Sequence, residues 1–373
     1  MPKKPSLGDL NSRLERASKM LDGCATMIRD NAEIDSANIR NIGDALVAVV
    51  EIRYEIYKVR PDLMPDLLKP EPIKALYAEF EVYRSEPALV QMIELANKKS
   101  RRIRDLVLAP KILVMPGAWD PLSAILFERL GFQAIQGSSA AIAATLGRRD
   151  GEVIGRGRTI GSTREIAAAV SVPINADGEA GYGGPEQTSR LVYGLINVGA
   201  AGMNLEDSIP SGPTAAGRGL ASITDHLEKI AAVMETKRAM GSEFFLNARV
   251  DAFAIMRDDS TAALAEAIKR GNAYADAGAD CIFYLGVSDR ETLATLVREV
   301  AAPISAFAVA DTPSVAELEE IGVARVSYGS AFQRAALAAL KRFAEGIREP
   351  DGHSDMREGM TGRELQEMLR GRR

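Results

Sequence analysis

Hydrophobic positions near the start of the chain recur every three or four residues, the spacing of one buried face of an α-helix. The first such series is Leu10, Leu14, Ala17, Leu21 and Ile28. Further helices are predicted over 36–59, 73–84 and 87–106, and four prolines between residues 61 and 72 interrupt the pattern. Residues 1–108 are therefore predicted to form an all-helical extension.

From about residue 112 the pattern changes to short apolar runs that alternate with amphipathic segments. The predicted strands cover 112–117, 134–137, 173–177, 202–206, 244–249, 281–285, 303–308 and 325–328. The predicted helices cover 121–130, 185–198, 223–240, 262–277, 290–300, 315–321 and 332–347. Eight strand–helix repeats in about 235 residues favour an α/β fold, a (β/α)8 TIM-type barrel, and an open doubly wound sheet is the alternative. We place the barrel at 109–348 and a C-terminal tail at 349–373.

Composition narrows the function classes. The chain has 373 residues, 46% of them hydrophobic and 26% charged, and its net charge of −5 argues against a general nucleic-acid binder. A basic run over 98–104 is interpreted as a solvated helix face or linker, with a polyanion contact as the alternative. Two distant cysteines suit a reducing compartment, and no apolar run is long enough to span a bilayer. We expect a cytoplasmic protein with neither nucleic-acid nor membrane partners.

Charged side chains follow several predicted strands. Asp177 and Glu179 follow the strand at 173–177 at alternate positions, so they point to the same side. Glu206 would join them from the next parallel strand. Three hard oxygen ligands converging at strand ends indicate a Mg²⁺ site. Arg249, after the fifth strand, would face these acids and neutralise a substrate carboxylate, so the sequence predicts an enzyme.

Five segments carry a resemblance to a known family. They are Gln-Gly-Ser-Ser at 136–139, Leu-Gly-Arg-Arg-Asp at 146–150, Asp-Gly-Glu-Ala-Gly-Tyr-Gly at 177–183, Asn-Leu-Glu-Asp at 204–207 and Asn-Ala-Arg-Val-Asp at 247–251. In this order, each after the expected strand, they resemble the isocitrate lyase/phosphoenolpyruvate mutase superfamily. The resemblance covers nearly all of the second region.

The resemblance implies roles for individual residues. The carboxylates matching those that hold Mg²⁺, directly or through water, with Mn²⁺ as the alternative ion, are Asp150, Asp177, Glu179 and Glu206. The family more often has Asp where Glu179 stands. Ser138 and Ser139 match a turn whose backbone N–H groups bind the substrate carboxylate, and Arg249 matches the arginine that contacts the substrate's charged groups. The candidate catalytic residues are Arg249, Asp150 and Glu206, and Tyr182 and Arg218 are further substrate-binding candidates, Arg218 alternatively being a solvated loop residue.

The implied mechanism is Lewis-acid enolate chemistry, which C–C lysis, decarboxylation and phosphonopyruvate chemistry share. The family's isocitrate and methylisocitrate lyases carry a catalytic cysteine in the loop after strand four. This chain has no Cys, His or Lys over 208–219, and Gly212 and Thr214 occupy the approximate positions of the mutase lysine and asparagine. We therefore expect a Mg²⁺-dependent lyase or decarboxylase of a small 2-keto or 2-hydroxy dicarboxylic acid. Phosphoenolpyruvate mutase or phosphonopyruvate hydrolase chemistry and a non-catalytic barrel are the alternatives.

The resemblance also implies a homotetramer, since barrels of this family often exchange their last helix between subunits. The segment 332–347 is amphipathic enough for that exchange. The helical extension lies outside the resemblance and carries no functional motif, so an oligomer contact or a cap over the barrel mouth is expected of it.

Overall fold

The structure, a computed structural model, describes residues 6–29, 37–60, 63, 73–210, 219–348 and 359–370. The chain forms two compact units, which divide between residues 76 and 77. In the smaller unit α1 (Leu7–Arg29) packs against α2 (Ala37–Val59), and Arg53 Nε donates to Asn11 Oδ1 at 3.1 Å. The first two predicted helices are thus confirmed. Within the described ranges no helix is both long and apolar enough to cross a membrane.

Two more helices precede the barrel. They are α3 (Ile73–Tyr83) and α4 (Pro87–Leu108), as predicted to within two residues, and α4 starts with proline at its first position, where no intrahelical N–H is needed. Ile103, Leu106 and Val107 of α4 are buried in one apolar cluster with Leu113, Met115, Ala134, Ala201, Phe245 and Cys281. Helix α4 therefore packs on the N-terminal ends of the strands and belongs to the larger unit. The domain division at 108/109 and 348/349 stays a prediction.

The basic run of α4 attaches the helix to the barrel. Arg104 Nε donates to Asp280 Oδ1 at 2.9 Å, Arg102 Nη2 donates to Gln133 Oε1 at 2.6 Å, and Arg101 pairs with Glu243. Lys99 is buried, and its Nζ donates to the Val170 carbonyl at 3.3 Å. Lys99 and Arg104 are therefore used within the fold, whereas Lys98, Arg101 and Arg102 stay exposed, so a solvated face describes part of this run.

All eight predicted strands are confirmed, and they close into a barrel. In chain order the strands are β1 (Leu113–Met115), β2 (Gly117–Ala118), β3 (Ile135–Gly137), β4 (Ile174–Asp177), β5 (Gly202–Glu206), β8 (Phe245–Val250), β9 (Cys281–Tyr284), β10 (Ile304–Phe307) and β11 (Arg325–Ser327). Every pairing is parallel; β1 pairs with β11 and β2 with β3, and Pro116 separates the two halves of this first strand. The ring is therefore closed, and the open doubly wound alternative is wrong.

Barrel closure requires one glycine. A Cβ on Gly117 of β2 would lie 2.0 Å from the carbonyl oxygen of Gly329, in the loop after β11. Any side chain at position 117 would therefore push the first and last strand segments apart.

The helices around the barrel were predicted in part. The structure confirms the predicted helices α5 (Pro121–Arg129), α8 (Pro185–Asn197), α9 (Ile223–Met240), α11 (Ser260–Asp276), α12 (Arg290–Glu299), α13 (Val315–Glu320) and α14 (Ala331–Gly346). Not predicted were α6 (Ser139–Thr145), α7 (Arg156–Ala169), α10 (Ala252–Ile255), α15 (Gly362–Leu369) and the hairpin of β6 (Ser208–Ile209) with β7 (Gly219–Leu220). Helix α7 lacks an apolar stripe, because its buried face includes Thr159, Ser162 and Thr163.

Helix α15 lies in the predicted tail. Its Met368 is buried in the cluster that contains Phe127 of α5, so the described part of the tail packs on the barrel of its own chain. The start of α15 carries a capping box formed by Thr361 and Glu364, and this Thr-x-x-Glu spacing could have predicted it.

Candidate active site

A cavity of about 150 Å³ opens at the C-terminal ends of the barrel strands. Its polar lining includes Ser138, Ser139, Asp150, Asp177, Asn204 and Arg249, and its apolar lining includes Phe283, Leu285 and Phe307. These polar residues come from β3 to β8 and their loops, Ser327 and Ser330 add hydroxyl groups in and after β11, and the apolar residues come from β9, the loop after it and β10. Barrel enzymes carry their active sites at this end.

Asp177 ends β4 and is surrounded by hydrogen-bond donors. Ser139 donates to its Oδ2 from the hydroxyl at 2.8 Å and from the backbone N–H at 3.3 Å, and the Glu179 N–H donates to Oδ1 at 3.2 Å. Burial raises the pKa of Asp177, and Asp150 adds to that rise while Arg249 opposes it. The carboxylate is thus desolvated, oriented and close to both charges.

The serine turn lies beside Asp177, as the sequence predicted, but its N–H groups are engaged. Ser138 N–H donates to the Ala118 carbonyl at 3.0 Å, and Ser139 N–H points to Asp177. The Ser138 side chain caps α6 by accepting from the Ala141 N–H. Both residues line the cavity, and their predicted binding of a substrate carboxylate stays a prediction.

Glu179 is buried outside the cavity lining and uses both carboxylate oxygens within the protein. Tyr182 Oη donates to Oε1 at 2.7 Å, and the Glu152 N–H donates to Oε2. Burial, followed by the charge of Asp177, raises the pKa of Glu179 to about 8. Tyr182 also shares a 2.6 Å hydrogen bond with Thr159 Oγ1, so its hydroxyl does not point into the cavity.

Arg249 bridges two carboxylates. Its Nη1 pairs with Glu206 Oε2, and its Nε and Nη2 donate to the two oxygens of Asp251 at 2.7 and 2.8 Å. The other Glu206 oxygen accepts from Ser208 Oγ at 2.7 Å. Burial raises the pKa of Glu206, and Arg249 opposes that rise. Burial lowers the pKa of Arg249, but Glu206 and Asp251 outweigh it, so the guanidinium stays charged.

A second polar cluster supports Asp251 from behind. Asp251 N–H donates to Asp207 Oδ1 at 2.9 Å, and Asp207 Oδ2 accepts from Arg270 Nη1 and Tyr274 Oη, both at 2.8 Å. The sequence analysis named Asp207 only as the end of the Asn-Leu-Glu-Asp motif, and it missed Arg270 and Tyr274. Their spacing of four residues on α11 places both on one helix face, which was the available signal.

Amide side chains form a layer below the charged residues. Asn175 Nδ2 and Asn247 Nδ2 both donate to Asn204 Oδ1, at 2.9 and 2.8 Å. Arg325, completely buried on β11, donates to Gln136 Oε1. The sequence analysis missed this layer. Each asparagine stands two residues before Asp177, Glu206 or Arg249, and side chains two residues apart on a strand point to the same side, so the spacing was an available signal.

The carboxylate oxygens at the cavity suit a hard divalent cation, but they do not form a complete set of metal ligands. Asp150 and Asp177 line the cavity, and a cation would stabilise the charge of the Asp177 carboxylate, whose pKa burial raises. Across the described ranges, no group of three or more His, Cys, Asp or Glu side chains is arranged to hold a metal ion. Glu179 and Glu206 instead bond to protein donors, so the four predicted ligands stay a prediction. Arg218, Gly212 and Thr214 lie outside the described residues.

The chain is similar to known proteins over most of the barrel. The family model described as phosphoenolpyruvate phosphomutase matches residues 103–348. A "probable 2-methylisocitrate lyase 2" of Corynebacterium glutamicum is 29% identical over 283 residues, which cover 74% of this chain and 89% of that protein. Oxaloacetate acetylhydrolase bound to 3,3-difluorooxalacetate superposes with a TM-score of 0.65 at 29% identity, covering 72% of this chain and 92% of that one. A 2,3-dimethylmalate lyase superposes with a TM-score of 0.65 at 27% identity, covering 72% and 91%.

Proposed function

The chain belongs to the phosphoenolpyruvate mutase family, within the isocitrate lyase/phosphoenolpyruvate mutase superfamily, and from that membership we propose a specific carbon–carbon lyase activity. The proposed reaction is cleavage of a small 2-keto or 2-hydroxy dicarboxylic acid, dependent on Mg²⁺ or Mn²⁺. The proposed assembly is a homotetramer. The exposed Leu337 and Leu340 of α14 support it, because they give that helix an apolar surface.

One observation carries the proposal: Asp177 and Arg249 line the same small cavity at the strand ends. A 2-keto or 2-hydroxy acid has two oxygen atoms that a divalent cation can chelate, and its carboxylates need a positive counter-charge. The acid and the arginine meet these needs from adjoining parts of one cavity. Charge interactions are stronger there than in water, because Arg249 is buried and Asp177 is half-buried.

The apolar lining of the cavity narrows the range of candidate substrates. Phe283, Leu285 and Phe307 present no charged or hydrogen-bonding side-chain group to the cavity. A hydrocarbon substituent next to the bond that breaks would pack against this wall and leave water. Among small dicarboxylic acids, 2,3-dialkylmalates fit this wall better than oxaloacetate does.

Each residue at the cavity would have a separate role in the proposed reaction. Asp177 and Asp150 would hold the divalent ion, which when bound supplies Lewis-acid stabilisation of enolate charge. Arg249 neutralises a substrate carboxylate, and Asp251 keeps the guanidinium in place. Asp150 is the candidate to accept a proton from a 2-hydroxyl group. His226 is completely buried in α9 and does not line the cavity.

Product detection by NMR would test the proposal. Purified protein with Mg²⁺ or Mn²⁺ is incubated with oxaloacetate, 2-methylisocitrate, 2,3-dialkylmalates and phosphonopyruvate, and Asp177→Asn and EDTA-treated protein serve as controls. We expect C–C cleavage that both controls abolish, fastest with a dialkylmalate.

Two other outcomes would contradict the proposal. Phosphate release or phosphoryl transfer from phosphonopyruvate would favour the mutase-type alternative, which the description of the matching family model supports. Absence of both turnover and Mg²⁺ binding would favour a barrel that has lost catalysis.

A further inference from the structure

Three non-glycine residues with left-handed backbone conformation meet at one place beside the active site. In the described part of the chain, positive φ outside glycine occurs at Glu152 (66°), Glu179 (46°) and Tyr182 (60°). This conformation is unfavourable for residues with a side chain and persists where surrounding contacts impose it. The three residues belong to two loops, one before α7 and one after β4. A common cause of their left-handed conformation must therefore be a contact between the loops.

Reciprocal hydrogen bonds join these loops. Tyr182 N–H donates to Glu152 Oε1 at 2.6 Å, and the Glu152 N–H donates to Glu179 Oε2. The ring closes because Tyr182 Oη donates to Glu179 Oε1 at 2.7 Å. We call this set of three residues the clasp. Lys229 Nζ holds the same turn from below by donating to the Ala180 carbonyl at 2.6 Å.

The clasp lies next to both acids of the cavity. Asp150 stands two residues before Glu152, and Asp177 stands two residues before Glu179. Only Asp150 and Asp177 of these four carboxylates line the cavity. The two loops leave different strands and have no covalent link near the site. The bond between Glu152 and the Glu179–Tyr182 turn therefore links the two loops that carry the cavity acids.

We propose that Glu152 is a positioning residue of the active site: its carboxylate clasps the Asp150 loop to the turn that follows Asp177, so that both cavity acids are held ready for a cation. The idea rests on the proposed metal-dependent function. Neither the strand pattern nor the predicted ligand set assigns a role to Glu152. It is a half-buried residue that reaches the cavity only through its neighbours.

Substitutions at position 152 test the clasp. Glu152→Gln keeps an oxygen that can accept from Tyr182 N–H, whereas Glu152→Gly removes the acceptor and also relieves the left-handed strain. Glu165→Gln, on the exposed face of α7, is the matched control for loss of charge. Two quantities are measured for each protein: the Kd for Mg²⁺ by calorimetry, and hydrogen exchange of the Tyr182 amide by NMR in metal-free protein.

We expect Glu152→Gly to weaken Mg²⁺ binding about 10- to 100-fold, as loss of a supporting group around a metal site does. The Tyr182 amide should exchange faster in that variant, and Glu152→Gln and Glu165→Gln should resemble the wild type in both measurements. An unchanged Kd in Glu152→Gly, or an equal loss in Glu152→Gln, would overturn the positioning role.

The exchange measurement needs neither metal nor turnover, so it distinguishes failure of this inference from failure of the proposed function. Unchanged Tyr182 exchange in Glu152→Gly would show that the clasp does not hold the turn. Faster exchange and a weaker Kd in a protein that turns over no tested substrate would support the clasp and count against the substrate assignment alone.

Discussion

Arg249 and Asp251 form a two-point ion pair, with N–H···O distances of 2.7 and 2.8 Å between the planar guanidinium and both carboxylate oxygens. Both side chains are buried, so water does not compete for either partner. The remaining guanidinium nitrogen, Nη1, contacts Glu206. The orientation of the guanidinium plane is therefore fixed before a substrate carboxylate approaches it.

Asp251→Asn should misplace this arginine. An asparagine offers one acceptor oxygen and turns an N–H₂ group toward the guanidinium. We expect kcat/KM to fall about 100-fold, the scale of a misplacement of about 1 Å at a reacting centre. Steady-state kinetics on the best substrate would measure it, with the exposed Asp258→Asn as control. Wild-type kinetics in Asp251→Asn would show that the orientation of Arg249 does not matter.

Asp177→Asn should strongly reduce activity with little change in stability. Burial raises the pKa of Asp177, so ionising this group costs free energy in the metal-free fold, and a neutral amide avoids that cost. We expect kcat to fall at least about 100- to 1000-fold, as for loss of a principal electrostatic group. The amide also turns its NH₂ group toward one of the donors that bond to Asp177, so the free energy of unfolding of metal-free protein at pH 8, measured in urea, should change by less than about 1 kcal/mol. A clear loss of stability would instead indicate a structural role.

His226 should make the protein sensitive to acid. The residue is completely buried, and within the described ranges neither ring nitrogen has a hydrogen-bond partner. Burial, with Lys229 and Arg270 nearby, lowers its pKa from 6.5 to about 3. The unfolded chain therefore binds the proton between those values, and stability falls as pH drops from about 6.5 toward 3, by up to about 1.4 kcal/mol per pH unit.

His226→Leu tests this dependence. A packing cost of the leucine that does not depend on pH would change the free energy of unfolding equally at every pH. The test therefore uses only the pH dependence of the difference between variant and wild type. We expect the difference in free energy of unfolding between variant and wild type to move in favour of the variant between pH 6.5 and 4.5, measured by urea titration. A difference that does not vary with pH would contradict the prediction.

Arg270→Met should strongly destabilise the barrel, because Asp207 would keep a buried charge without its cation. The expected loss is about 3–5 kcal/mol in the free energy of unfolding. Arg290→Met is the matched control, since its 3.2 Å pair with Glu320 is exposed and should contribute less than about 1 kcal/mol. In the double variant with Asp207→Asn, part of the loss should be recovered. Equal effects at positions 270 and 290 would contradict the role of burial.

Gly117→Ala should weaken barrel closure. The added methyl group would meet the Gly329 carbonyl oxygen at 2.0 Å, and relieving the overlap should cost about 1–3 kcal/mol. Gly161→Ala, on α7, has no heavy atom within 4 Å of the new Cβ and should stabilise by about 1 kcal/mol. Thermal unfolding of both variants tests the contrast, and a Gly117→Ala protein as stable as the wild type would refute the closure argument.

The strands and much of the cavity were predictable because they depend on local pattern. A strand buried on both faces is a short apolar run, and such runs identified all eight barrel strands. Asp177 and Arg249 could be placed in one site because the C-terminal ends of parallel strands meet at one end of a barrel. Helices α6 and α7 were missed because a short or polar buried face leaves no apolar stripe to detect.

The use of each charged group could not be predicted. Glu179 was expected to bind a metal ion, and the structure turns its two oxygens to Tyr182 and Glu152. The basic run of α4 was expected to be solvated, and the structure pairs its half-buried Arg104 with Asp280 while Arg101 and Arg102 stay exposed. Hydrogen bonds and ion pairs act over about 3 Å, so a partner's identity depends on where the folded chain brings it.

The sequence by itself determined the alternating strands and helices, the barrel and the acids at its mouth, because side-chain periodicity and strand polarity are local properties. The tertiary structure alone decided which of those acids face the cavity and which are bonded away from it. It also brought Arg325 to Gln136, 189 residues earlier in the chain, and Glu152 to Tyr182, 30 residues later. Contacts at such separations follow from the packing of the whole barrel, and no local pattern encodes them.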